Sequence, residues 1–555
     1  MDLQRELLRL KKLLEEKDQQ LEEKNHLIAT QQEKLSRQEE QIKKQQIQIE
    51  NMIQALLHAR KKIFGSSSEK TQIEGQMHLF MTRQELAVEL LKQQKEISVK
   101  AHKKTPRKSG VREEMLSGLK KEVEEYVISE DEVCPKCGDN LTIIGKEVLR
   151  TEVEFVPAKL LVKQIVRQVA KCTSCGKKGS ERKIPTFVKA QVPKPVLPHS
   201  FSTPSLVAQV LYQKFSMGMP YDRQEKDWYR LGLVLSRADM AYWTIRCSEE
   251  WFLPIYQRIH EKLLSSCALL HMDETRIQCN KEPGRKASTD SYMWVMRSGA
   301  GEELQGAFFH YSPSRNREVA KNLLGDYKGY LVTDAYVVYE DAGQYQHCLC
   351  FAHCRRYFIE AIPLDNKGKE IPGSKGAEGR EFINLLFKVE EKIKELPFAE
   401  KKEKRLEASK PILEAFWSWV EKTSALPTTN ENLTKALTYA TNQREGLEMF
   451  LTDGRIPISN NLCEANIKPF ATARRAWLFA DSQKGAKATA VLYTLVESAK
   501  ANHLDIYEYL NYLLEEMPNN HHLEHPKIID RYLPWSEELP ERCRLKIEKK
   551  KQFKN

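Results

Sequence analysis

Leucine or isoleucine returns at every seventh position at the start of the chain: Leu7, Leu14, Leu21, Ile28, Leu35, Ile42 and Ile49. Residues 1–60 contain no Gly or Pro and are dominated by Gln, Glu, Lys and Leu. The period therefore predicts one long helix carrying a complete line of a coiled-coil seam. The second line is poor. It opens on Leu3 and Leu10, then passes through Lys17, Lys24, Gln31, Gln38 and Gln45 before Met52. A weak or short-range homodimer through the good line is expected. The alternative is a single helix that packs on the protein body. Gly65-Ser66-Ser67-Ser68 ends the pattern, which sets a first unit at 1–64.

Residues 65–125 read as a basic linker. Twelve Lys/Arg face five Asp/Glu over 61–112, and Lys100–Lys108 is the densest part. Such a run either touches phosphate or is simply solvated. Short β-rich runs occupy 126–195, and Pro193, Pro195 and Pro198 close that unit. Thr203-Pro204 starts a helix with a good cap and Pro in its first turn. Helices continue through 196–265, and Tyr229–Ser236 ahead of Trp243 has a helix-turn-helix rhythm.

From residue 267 the texture changes. Apolar runs at 267–278, 291–298, 306–313 and 329–340 predict four strands, with a helix at Asn316–Gly325 before the fourth. Helix and strand alternating in this way define an α/β segment, bounded at 266–500. Charged helices fill about 370–450 within it. A C-terminal helix ending near 515 and a basic tail make up 501–555.

The 555 residues carry 88 Lys+Arg against 77 Asp+Glu, a net charge of +11. That balance suits a nucleic-acid partner without establishing one. No apolar run reaches 18 residues, so no membrane span is expected. The charged N-terminus lacks the apolar stretch of a secretory signal. Twelve cysteines are too sparse for a disulfide scaffold, and a reducing cytoplasm is the expected compartment.

Four of those cysteines form Cys134-Pro-Lys-Cys137-Gly and Cys172-Thr-Ser-Cys175-Gly. Each pair lets two thiolates converge from a tight turn, and two pairs complete a tetrahedral shell suited to structural Zn²⁺. Lys171, Lys177 and Lys178 lie beside the second pair and make DNA contact plausible. Cys348, Cys350, His353 and Cys354 lack a partner pair, which argues against a second metal site.

Carboxylates form the second constellation. Asp273 ends the run Leu269-Leu-His-Met, and Asp334 lies inside Tyr330-Leu-Val-Thr-Asp-Ala-Tyr-Val-Val. A carboxylate in an apolar strand needs a partner or a cation, and two such strands could hold Mg²⁺. Strand-end capping or a salt bridge is the plainer alternative. Downstream, Ser459–Phe479 reads as a capped helix, a break at Pro469 and a basic segment. Glu464 and Lys468 share a face there, either as a surface ion pair or as a third acid beside phosphate-gripping Arg474 and Arg475.

Taken in order, these blocks resemble the DDE transposases of the insertion-sequence-sixty-six family. The motifs are KIFGSSSEK after the heptads, CPKCG and CTSCGKKG, MPYDRQEKDWYRLGLVLSRADMAYW, HMDETRIQ, SPSRNREVAKNLLGDYKGYLVTDAYVVYE, FAHCRRYF and SNNLCEANIKPFATARRAWLFADSQKGAKATAVLYTLVESAKANHLD. The resemblance implies a ribonuclease-H-like catalytic core with a helical insertion. It implies catalytic Asp273, Asp334 and Glu464 holding two Mg²⁺, and metal-dependent strand cleavage and strand transfer on double-stranded DNA. Lys468, Arg474 and Arg475 would neutralise phosphate. His353 and Arg355-Arg356 match a family element whose role is open. Ser459 stands where aspartate is expected, and Ala465 where arginine often follows the glutamate. Small accessory transposition proteins are a possible partner, and the expected location is the bacterial cytoplasm, at the nucleoid. Two other readings stay open: a catalytically inactive, transposase-derived DNA-binding protein, and a nuclease that hydrolyses but never joins.

Overall fold

A thirteen-residue strand organises the molecule. In the computed structural model, which describes residues 30–54, 56–57, 159–171, 187–366, 368–520 and 525–545 together with 17, 24, 123 and 148, that strand is Leu269–Lys281. Its first four residues are buried on both faces, as in a strand at the centre of a covered sheet. Further along, only Ile277 and Cys279 stay buried, the two-residue period of a strand covered on one face.

In chain order the described elements begin with helix α1, residues 30–54 and 56–57. A small antiparallel pair follows, β1 (Val169–Lys171) and β2 (Phe187–Lys189). Helices α2 (Pro204–Phe215), α3 (Tyr221–Arg230), α4 (Arg237–Cys247) and α5 (Leu253–Ser266) lead into the sheet. The expected helix-turn-helix rhythm is present: Gly232 has φ +87° in the turn, and Ser236 Oγ caps α4 by accepting from Asp239 N.

The sheet contains β3 (Leu269–Lys281), β4 (Asp290–Ser298), β5 (Ala307–Ser312), then after helix α6 (Arg317–Leu324), β6 (Tyr330–Thr333) and β7 (Gln346–Leu349). Their order is β5-β4-β3-β6-β7; β4 and β5 run antiparallel, whereas β6 and β7 run parallel to β3 and to each other. The fourth expected strand is shorter than its apolar run. It stops at Thr333 because Asp334 Oδ1 accepts the Tyr336 N–H, an Asx turn that bends the chain away. Asp334 is therefore the first residue beyond the strand, not a residue within it.

Helix α7 (Phe351–Glu360) follows, and the expected helical insertion is real. It comprises α8 (Lys375–Lys392), α9 (Phe398–Lys404), α10 (Lys410–Ser424), α11 (Glu431–Asn442) and α12 (Arg444–Glu448). It has its own core, in which Phe358, Ile383, Leu386, Phe416 and Leu437 pack together. Arg405 is buried in that core, bonding Glu390 through Nε at 2.8 Å and Nη2 at 2.7 Å, and the carbonyl of Phe450 at 2.7 Å. Truncating one partner of a buried pair strands the other charge, which costs about 3–5 kcal/mol. Arg405→Ala is thus expected to lower unfolding free energy by that much in a denaturant titration and to open the insertion to limited proteolysis. An unchanged midpoint would contradict the staple.

Helix α13 (Asn461–Trp477) then lies across β3 and β4. The break expected at Pro469 does not occur, for Pro469 sits inside one continuous helix. Cys463 before it and Phe470 after it are both fully buried against the same core, which holds the two halves in line despite the missing N–H. β8 (Phe479–Ser482) returns to pair in parallel with the far end of β3. Helix α14 (Gln483–Ala501) is buried through most of its length, and its Thr494 and Ser498 hydroxyls accept the Phe309 and Ala307 N–H groups of edge strand β5. Helices α15 (Ile506–Glu516) and α16 (Pro526–Asp530) complete the described helices.

Helix α1 touches the insertion at its end. Asn51 Nδ2 donates to Glu431 at 3.1 Å, and the Gln54 amide brackets the Leu364 backbone, accepting its N–H at 3.1 Å. Leu35, Ile42, Ile49 and Leu56 remain 54–69% exposed. At 3.6 residues per turn, Ile49 lies about 160° around the helix from Asn51. Leu7, Leu14, Leu21 and Ile28 lie outside the described residues. No helix among the described residues is long and apolar enough to cross a membrane.

Candidate active site

The sheet has a gap. Along one edge of β3, Leu269–His271 pair with β6 and Gln278–Lys281 pair with β8, and no strand pairing joins residues 272–277 there. Asp273 lies in that stretch. Asp273 lies two residues past the last β3–β6 pair, His271↔Val332, and Asp334 lies two residues past it on the other chain, just beyond the end of β6. The parallel pairing thus brings two acids 61 positions apart towards one end of the sheet, close enough for the Asp334 charge to act on Asp273.

The third acid comes from α13. Cys463 Sγ donates to the carbonyl of Val295 at 3.5 Å, and Val295 is the residue paired with Asp273 across β3 and β4. The next residue is Glu464, whose Oε1 is buried and accepts no hydrogen bond. His353 Nε2 on α7 is 3.9 Å from that oxygen.

Electrostatics reports the same grouping. Burial first, then the negative charges of Glu274, Asp334 and Glu464, push the Asp273 carboxyl well above the usual carboxylate range. Glu274 N–H donates to Asp273 Oδ1 at 2.7 Å and offsets only part of this. Glu274 itself faces the other side of the strand, where it pairs with Arg315 at 2.5 Å and accepts from Tyr339 Oη. Arg315 partly offsets its charge there, and the guanidinium lies 3.7 Å over the Tyr336 ring. Sequence inspection missed this structural role, because nothing in Met272-Asp273-Glu274 says which carboxylate faces the gap.

Asp334 is shaped by a second unforeseen group. Thr333 Oγ1 donates to the Asp334 carbonyl and accepts from His347 Nε2 at 2.7 Å. Burial lowers the His347 pKa to about 4, so it is a neutral imidazole. His347 is on β7, a strand of four residues too short to show a period.

Among the described residues, no three His, Cys, Asp or Glu side chains are closed into a metal-holding group. The donor chemistry nonetheless fits a divalent cation: Asp334 and Glu464 are near enough to raise Asp273, the buried Glu464 Oε1 lacks a hydrogen-bond partner, and the charges that shift Asp273 are all negative. A stability consequence follows. A carboxyl whose folded pKa is raised contributes stability below its unfolded pKa, and that contribution is lost as pH rises through the folded value. Asp273→Asn keeps the Glu274 N–H acceptor and removes the charge. It is expected to melt higher than wild type without metal at about pH 8, by about 1–3 kcal/mol, with the gap closing towards about pH 5. Equal melting at both pH values would contradict the crowding.

Lys468, Arg474 and Arg475 extend along α13 beyond Glu464. Lys468 and Arg475 are exposed and lie within about 40° of Glu464 around the helix. None of the three basic side chains forms an ion pair among the described residues, so the surface-pair reading of Glu464 and Lys468 is replaced by an unpaired basic ridge. At the far end, Trp477 shares the Lys214 ammonium with Tyr221, at 5.3 and 4.1 Å, which joins α13 to the helical region before the sheet. Burial lowers the Lys214 pKa to about 8.

Cys348, Cys350 and Cys354 are buried free thiols whose pKa values burial raises, with Cys354 packed in the insertion core. Cys134, Cys137, Cys172, Cys175, Lys177 and Lys178 lie outside the described residues. Lys171 ends β1.

Comparison with known proteins places the chain among the transposases. It belongs to the Transposase IS66 family, whose model matches residues 199–488. A zinc-finger binding domain of transposase IS66 matches 131–176, a span that includes all four paired cysteines. The IS66 C-terminal element matches 494–535, and a model described as Transposase C of IS166 homeodomain matches 54–123. The chain is also similar to uncharacterized protein y4hP of Sinorhizobium fredii, 28% identical over 435 residues, 75% of each chain. Uncharacterized protein y4jD of the same organism is 26% identical over 423 residues, 73% of this chain and 78% of its own. A solved Drosophila P element transposase strand transfer complex matches at 13% identity and a TM-score of 0.22, covering 58% of this chain and 83% of that one.

Proposed function

We propose that the chain is an active DDE-type transposase that cuts the ends of its mobile element and joins them to target DNA. What supports this reading is the Asp273 carboxyl beside the gap in the sheet, raised by burial and by the charges of Glu274, Asp334 and Glu464. The strand order, three antiparallel strands continued by two parallel ones, supports a ribonuclease-H-like core at 266–500. Two Mg²⁺ held by the three acids would supply Lewis-acid neutralisation of the phosphate and activation of the attacking oxygen.

The residues themselves do the positioning. The acids orient an attacking water in line with the scissile P–O3′ bond; the water oxygen bonds to phosphorus as the P–O3′ bond breaks, its proton leaves to solvent, and the departing O3′ takes a proton from solvent to become a 3′-hydroxyl end. That 3′-hydroxyl then attacks a target phosphorus and expels the target's own 3′-oxygen. Lys468, Arg474 and Arg475 neutralise neighbouring phosphates. Cys134, Cys137, Cys172 and Cys175 would hold a structural Zn²⁺ for the module at 126–195, and Lys171, Lys177 and Lys178 there would contact DNA beside the helical block at 196–265. The exposed heptad line of α1, turned away from the insertion, pairs two protomers so that both element ends meet.

The test uses purified zinc-loaded protein, Mg²⁺ and labelled DNA spanning the junctions that flank its gene. New 3′-hydroxyl ends and joined products support the reading. Nicks without joining would make it a hydrolytic nuclease. Binding without cleavage, also after adding the neighbouring gene products, would make it an inactive DNA-binding descendant.

A further inference from the structure

We propose that Asn460 is the positioning residue that locks the third acid to the first and thereby sets the spacing at which the carboxylates take a divalent cation. This rests on the proposed active site. Asn460 occupies the N-cap of α13, where an asparagine normally turns its side chain back to the helix's own free N–H groups. Here it makes no such bond. Its side chain is turned outward instead and is completely buried.

Every polar group of the residue is used, and each links a different piece of the site. The amide Nδ2 donates to the Met272 carbonyl at 3.1 Å, one residue before Asp273. That fixes the amide's orientation, so Oδ1 accepts from His271 Nδ1 at 2.8 Å. The backbone N–H donates to Cys350 Sγ at 3.1 Å, at the end of β7. The backbone carbonyl accepts the Cys463 N–H at 3.0 Å and the Glu464 N–H at 3.2 Å. One side chain therefore grips both residues before the first acid, while its own main chain holds the third. Acids supplied by separate elements need such a joint, because an error of about 1 Å in a reacting geometry can cost about 100-fold in rate.

The test must separate positioning from folding. Asn460→Ala strands the His271 donor in the interior and could simply unfold the protein. The informative variant is therefore His271→Leu/Asn460→Leu, which removes the buried His271–Asn460 pair together and leaves only the Met272 carbonyl without its side-chain donor. Mn²⁺ binding is read by electron paramagnetic resonance, melting by calorimetry, and end cleavage as kcat and KM for DNA. The double variant is expected to melt cooperatively and keep the wild-type KM for DNA. Its Mn²⁺ affinity falls at least about tenfold and its kcat at least about 100-fold. A folded double variant with Mn²⁺ affinity and kcat within about twofold of wild type overturns the positioning role, and if Asp334→Asn still loses Mn²⁺ the carboxylate site stands. Equal Mn²⁺ binding by wild type and Asp334→Asn overturns both.

Discussion

Asp334→Asn is expected to lower metal-dependent end cleavage by about 10³-fold and to leave DNA binding unchanged. The substitution is nearly isosteric, and asparagine Oδ1 can still accept the Tyr336 N–H that Asp334 accepts at 3.1 Å. The turn that ends β6 therefore survives, and so does the Thr333–His347 contact behind it. What disappears is one of the three charges at the gap. A bound divalent ion is worth several kcal/mol of transition-state stabilisation, and each 1.36 kcal/mol is a factor of ten in rate. Losing about 4 kcal/mol of that gives the expected fall. Single-turnover cleavage of labelled end DNA, beside a gel-shift titration, reads both quantities. Cleavage within about tenfold of wild type would remove Asp334 from the reaction.

Lys468→Ala/Arg475→Ala should act on DNA binding rather than on the chemical step. Both side chains are exposed on α13, and alanine suits a helix, so the fold is unaffected. Each cation that touches a phosphate releases about 0.9 counterion on binding duplex DNA. The double variant should therefore flatten the plot of log affinity against log salt by about two units, and lose about tenfold in affinity at low salt. An unchanged slope would mean that the ridge beyond Glu464 does not face the DNA.

Much of this was legible in the residues. The strands at 269–281, 290–298 and 307–312 follow from long apolar runs, and the insertion from charged helical texture. The four cysteines stand out by their spacing, whereas Asp273, Asp334 and Glu464 are singled out as a triad only through the family resemblance. Other features were beyond local reading. β7 and β8 have four residues each, below the length at which alternation shows. A proline misleads as a helix breaker when tertiary burial outweighs it, as Cys463 and Phe470 show on either side of Pro469. Asn460 looks like an ordinary helix cap until His271, 189 positions earlier, is folded beside it. The division of labour between Asp273 and Glu274 depends on which face of β3 meets the gap, and only the pairing with β6 decides that.

Asp273, Asp334 and Glu464 are proposed to form one divalent-cation site. Its most direct measurement is protein self-cleavage by Fe²⁺ and ascorbate, with fragments mapped by mass spectrometry. Cuts are expected beside all three acids in the same reaction, suppressed together by excess Mg²⁺ and absent together in Asp334→Asn. Cuts beside only one of them, or cuts that survive in the variant, would contradict it.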